Sequence, residues 1–188
     1  IRAMGIVGRL LATPHGSNDE ALPVSPFRFD CTLTDAPSVF EYDFIQGGLR
    51  YRFVLGLTAQ RIVQEQLTAY PKGKETLLYD RRFDAEGEHY LFGKTLEGGK
   101  EVHCAWRRLT SPTMLFIAQA VTHSSEELSQ LRTPFNWFQT GLLVIEQNNM
   151  LGLSTASIRF LQMVKNHTSN LRDFLSALDI PVSAIQLD

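Results

Sequence analysis

Phe40, Tyr42 and Phe44 alternate with Glu41 and Asp43, and Tyr51, Phe53, Leu55 and Leu57 alternate with Arg50, Arg52 and Val54. Alternation at period two marks strands with one buried face. Gly47-Gly48 lies between the two runs and reads as a two-residue hairpin loop, because glycine tolerates positive φ at both positions. That loop fixes the register. It sets Phe44 opposite Tyr51, Tyr42 opposite Phe53 and Phe40 opposite Leu55, with Asp43 facing Arg52 on the other side. A slip of one residue would move every apolar side chain to the wrong face.

The pattern continues along the chain. Residues 61–70 read as a strand, Pro71-Lys72-Gly73-Lys74 as a turn, and residues 75–82 as the returning strand. Residues 88–92 and 101–109 suggest two more, which gives an antiparallel meander. Met4, Val7 and Leu11 sit at helical spacing before it. After it, Ser111-Pro112 reads as a helix start with proline in the first turn. The almost wholly apolar residues 114–121 should be buried. Ser124 and Glu127 have capping-box spacing, and Thr133-Pro134 opens a short helix ending near Gly141. Residues 142–145 read as a strand, 147–152 as a loop and 155–165 as a helix. Leu171, Phe174, Leu175 and Leu178 place a last helix that stops before Pro181, and residues 182–187 read as a short strand. Helix, then strands, then helices is an α+β order. The expected organisation is an N-terminal helix plus antiparallel meander over 1–110, and a helical part ending in a short strand over 111–188.

Composition adds limits. A chain of 188 residues with 44% hydrophobic and 20% charged residues is ordinary globular material, large enough for one core. The net charge of −2 gives no indication of direct nucleic-acid binding. Cys31 and Cys104 stand apart without a CxxC, so they read as buried reduced thiols rather than a disulfide or zinc site. No apolar run approaches the length of a membrane span and no signal peptide is visible, so the chain reads as cytoplasmic. Both ends read as cut: the first helix has no cap, and the last strand has no polar tail.

The candidate chemistry is thin. Gly93-Lys94-Thr95 has the tail of a phosphate loop, but the first glycine of GxxxxGK[ST] would be residue 88, which is Glu88. No amphipathic helix is expected directly after it, so a hairpin end is the better reading. His15, His89, His103, His123 and His167 fall at no metal-ligand spacing; His89 and His103 could meet only across neighbouring strands. Arg81-Arg82 with Lys72 and Lys74 reads as a solvated basic edge. Arg107-Arg108 beside Trp106 reads as a salt-bridged strand end. Phe135, Trp137 and Phe138 read as core anchors. The residues alone show no catalytic residue and no metal site, and leave cofactor binding unassigned.

Three stretches carry a resemblance to a family. They are FEYDFIQGGLRYRFVLGLTAQRIVQEQLTAY (40–70) with PKGKETLLYDR after it, then MLFIAQAV and FNWFQTGLLVI within 114–145, then NLRDFLSALDIPVSAIQL (170–187). In this order they resemble the middle segment of prokaryotic ABC-like AAA-family ATPases, the abortive-infection and phage-defence type with OLD-like heads. The resemblance implies part of an ABC-type ATPase head. It implies that the intact member binds ATP and Mg, forms a homodimer and couples hydrolysis to an effector protein. It also implies that the P-loop precedes a segment like residues 1–11, and that the signature, Walker B acids and switch histidine follow one like 182–187. This chain has none of them, so no catalytic residue is carried over and the chain alone is expected to be inactive. No glutamine lies in 107–112, and no Q-loop residue is assigned. A non-enzymatic protein-interaction module is the alternative.

Overall fold

A computed structural model describes residues 5–12, 21–24, 33, 36–124, 128–141, 167–177, 179 and 180. The fold is α+β, an antiparallel meander followed by helices. Among the described residues the strands are β1 (Ser38–Gln46), β2 (Leu49–Leu57), β3 (Ile62–Ala69), β4 (Thr76–Asp84) and β5 (Gly87–Phe92). They pair in sequence order, each antiparallel to the next. The β1–β2 register is the expected one: Phe44↔Tyr51, Tyr42↔Phe53, Phe40↔Leu55 and Asp43↔Arg52. Gly47 and Gly48 both take positive φ, 60° and 76°, as a primed turn requires.

The helices are α1 (Ile6–Ala12), α2 (Gly99–Leu109), α3 (Phe116–Thr122), α4 (Ser129–Asn136) and α5 (His167–Ala177), with a π-helical turn at Trp137–Gly141. The chain divides into two compact units, residues 2–143 and residues 144–188 with Ile1. In the larger unit, one face of the sheet and the helices share one core. Phe138 meets Tyr42 edge-on with ring centroids 5.4 Å apart, Trp137 stacks on Phe44 at 3.9 Å, and Phe116 lies 4.5 Å from Tyr79. Phe135, Trp137 and Phe138 are therefore the core anchors their sequence suggests, with Trp137 only partly buried. Ile6, Val7 and Leu10 of α1 join the same core. In the smaller unit, α5 ends with Asp179 at φ 57° and with Ile180 N–H donating to the Leu175 carbonyl, a left-handed helix stop.

Four expectations change. Residues 101–109 are helix α2, not a strand: His103 and Trp106, three apart, are buried, with Val102 partly buried beside them. The alternation of Val102, Cys104 and Trp106 is incidental, because Cys104 is exposed. That exposure also overturns the expected burial of Cys104; Cys31 lies outside the described residues. Ser111-Pro112 opens a turn rather than a helix, and α3 starts at Phe116. Thr133-Pro134 falls inside α4, which begins at Ser129 after Leu128 instead of at a Ser124 cap. Glu127 and the readings over 142–145, 147–152, 155–165 and 182–187 lie outside the described residues.

Candidate functional site: a saturated guanidinium between sheet and helix

The register of β3 with β4 places Glu65 opposite Arg81. Alternation then puts Glu65 in phase with Leu67, and Arg81 in phase with Tyr79, so both charged side chains point into the core. Glu65 is 0% exposed and Arg81 1%. Burying two charges costs several kcal/mol each unless their hydrogen bonds are made inside.

Most of them are made by sheet and loop oxygens. Arg81 Nε and Nη2 donate to Glu88 Oε1 of β5 at 2.9 and 2.7 Å. Nη2 also donates to the Ser111 carbonyl at 2.9 Å, and Nη1 to the Met114 carbonyl at 2.7 Å. Nη1 lies 3.6 Å from Glu65 Oε2. Each nitrogen of the guanidinium thus donates to or pairs with an oxygen, and Glu65 adds its charge at 3.6 Å. Lysine has no planar fork and could not reproduce the set.

Glu65 completes the other half. Its Oε2 accepts from the Phe116 N–H at 2.7 Å, and its Oε1 from the Ile117 N–H at 3.1 Å and the Tyr79 hydroxyl at 2.8 Å. The residue before α3 is Leu115, which supplies no side-chain cap, so Glu65 satisfies the first amides of that helix from the sheet. Burial pushes the Glu65 carboxyl up; Arg81, the two amides and Tyr79 oppose that shift. Burial pushes Tyr79 well above its usual range, and the adjacent carboxylate adds to it.

A second glutamate repeats the arrangement. Leu128 precedes α4 and cannot cap it, and Glu97 accepts from the Ser129 hydroxyl at 2.9 Å and the Gln130 N–H at 3.1 Å. Gln130 returns its side chain to the Glu97 N–H at 3.1 Å and the Thr95 carbonyl at 2.9 Å. The turn after β5 therefore holds α4 as Glu65 holds α3.

The residues marked from sequence fall elsewhere or change meaning. Arg81 is no solvated edge. It lies at the far end of β4 from Lys72 and Lys74, while exposed Arg82 pairs with Asp80. Arg107 and Arg108 are exposed in the last turn of α2, where cations suit the helix dipole. His89 bonds Asp84 and His103 bonds the Glu97 carbonyl, so the two rings serve different contacts. His15 lies outside the described residues.

Gly93-Lys94-Thr95 does not fit a phosphate. The Gly93 N–H is spent on the Leu78 carbonyl at 2.8 Å, and a Cβ at Gly93 would lie 1.9 Å from the Leu77 carbonyl oxygen. The glycine lets the chain leave β5 against β4. An amphipathic helix does follow, contrary to expectation, but it starts at Gly99 and its first turn is not joined to this glycine. Among the described residues no His, Cys, Asp and Glu cluster is arranged to hold a metal ion, and no helix is long and apolar enough to cross a membrane.

The glutamate and arginine were legible separately, since both lie inward by period two. Their pairing required the β3–β4 register, which the strand boundaries carried and the basic-cluster reading passed over. Comparison with protein-family models, curated proteins and solved structures finds no match.

Proposed function

We propose that this chain is a fragment or degenerate form of an ABC-like AAA-family ATPase of the phage-defence type, with residues 5–141 serving as the sheet-and-helix arm of the head. The support is the ordered resemblance of three stretches, and one observation carries it. Glu65 and Arg81 belong to the first stretch and its continuation, and their hydrogen bonds end on Met114, Phe116 and Ile117 of the second. The charged residues of one family-like stretch thus find their partners in the next.

On this reading ATP and Mg belong to the intact protein, and the described residues act as a rigid support beside the nucleotide core. The setting is cytoplasmic, with a second copy or an effector protein as partner. The test has two arms. The purified chain should show no ATP hydrolysis that tracks it through a sizing column. The product of the complete reading frame should hydrolyse ATP and lose that turnover when Glu65→Gln loosens the arm. A complete product that neither binds nor hydrolyses ATP ends the proposal.

A non-enzymatic interaction module is the second reading. It is favoured by Val39 and Ile45, which are exposed on the outer strand β1 at 59% and 69%. Concentration-dependent sizing, unchanged by ATP in the complete product, would favour it over the first.

A further inference from the structure

Where the buried network reaches solvent, two guanidinium groups converge on one carboxylate oxygen. Glu88 Oε1 accepts from Arg81 Nε, Arg81 Nη2 and Arg61 Nη2, the last at 3.3 Å. Arg81 presents the Nε–Nη2 edge that binds two oxygens of an oxyanion side-on, and Arg61 adds its Nη2. Glu88 offers these three nitrogens a single oxygen, and Arg61 Nε is buried with no hydrogen-bond partner.

Both guanidinium groups have holding contacts other than Glu88. Arg81 is anchored by the Ser111 and Met114 carbonyls and by Glu65. The Arg61 guanidinium lies over the Phe83 ring, 3.2 Å from its centroid. Glu88 is the member able to leave, being 26% exposed on strand β5, next to the β4–β5 turn. Its departure would leave Arg61 and Arg81 against Glu65, a net positive site with the three nitrogens that now meet at one oxygen, Arg81 Nε, Arg81 Nη2 and Arg61 Nη2. One carboxylate oxygen serves all three nitrogens, whereas a tetrahedral oxyanion carries enough oxygens to give each its own and to reach the unpartnered Arg61 Nε.

We propose that Arg61 and Arg81 form a phosphate-type oxyanion site for which the Glu88 carboxylate is a tethered stand-in, displaced when such a group enters. The site stands apart from Gly93-Lys94-Thr95 and does not depend on the ATPase reading.

The test is thermal unfolding of wild type, Glu88→Ala and Arg61→Ala/Glu88→Ala in phosphate, acetate or chloride at equal ionic strength. Phosphate should raise the Tm of Glu88→Ala above its chloride value by roughly 3–5 °C, a shift expected for a millimolar-range site in a domain of this size. Acetate should give less. The double variant should show no gain, and wild type should show a smaller gain of about 1 °C, because its own carboxylate competes. Phosphate no better than chloride in Glu88→Ala, an equal gain in the double variant, or no gain in wild type each overturns the proposal. If Glu88→Ala fails to fold, Glu88→Gln keeps the volume and takes its place. AMP beside inorganic phosphate distinguishes a monoester site from a free-phosphate site by which gives the larger shift.

Discussion

The β1–β2 hairpin and the β3–β4–β5 end of the same sheet use the same residue types for opposite purposes. On the hairpin, Arg50 pairs with Asp43 and Arg52 with Glu41, all on the polar face and all roughly half exposed. At the other end, Arg81 pairs with Glu65 and Glu88 and is sealed in the core. The exposed pairs sit in high dielectric with water as a ready substitute, so each contributes little. The buried pair of Glu65 and Arg81 has no substitute, and loss of either strands the other. The hairpin is held by aromatic packing, Phe44 on Tyr51 and Tyr42 beside Phe53, and its ion pairs decorate it. The network end is held by its charges.

That contrast can be broken, and the largest expected effect is at Glu65. Glu65→Gln turns an amide NH2 toward N–H donors and leaves Arg81 without its buried counter-charge. Denaturant unfolding should show a loss of about 3–5 kcal/mol. A double-mutant cycle with Arg81→Lys should return a large coupling, and a cycle value under about 0.5 kcal/mol would show that the network is not one unit. Next comes Gly93→Ala, in which the added methyl must push β5 away from the Leu77 carbonyl. A loss of about 1–3 kcal/mol is expected, from overpacking against backbone rather than from any lost charge.

Base sharpens the comparison. Burial pushes Tyr42 and Tyr90 up to about 12, so the folded state holds protons that the unfolded state releases near pH 10. Their contribution is present in full below pH 10 and is lost as pH rises from there toward about 12. Urea midpoints measured between pH 9 and 11.5 should fall, and Tyr90→Phe should flatten the fall. The smallest effect belongs to the exposed pair. A cycle on Asp43→Asn and Arg50→Gln should give no more than about 0.5 kcal/mol and should shrink in salt.

The hairpin was legible because everything that fixes it is local: two glycines set the register and alternation sets the faces. The same alternation misled at residues 101–109, where it imitated a strand over Val102, Cys104 and Trp106. Gly98-Gly99 ahead of that segment and the three-residue spacing of His103 and Trp106 were the competing signal, and burial against Phe92 and Phe116 decided it. The starts of α3 and α4 were misplaced for one physical reason. Ser111, Ser124 and Thr133 offer caps in adjacent sequence, whereas the caps come from Glu65 and Glu97, distant in sequence. Arg81 read as solvated because neighbouring basic residues suggested an edge. Its inward phase with Tyr79 held the answer, but only once β4 was set against β3.

The distance that Glu65 spans has a kinetic consequence. Its bonds to Phe116 and Ile117 close loops of 51 and 52 residues, while the hairpins it stands on close over a few. The meander can zip from one tight turn to the next, but α3 gains its cap only after β3 and β4 have registered and the intervening chain has returned. Glu65 should therefore act late on the folding path. Its removal should accelerate unfolding and barely slow folding, so a chevron plot should be raised on its unfolding arm alone.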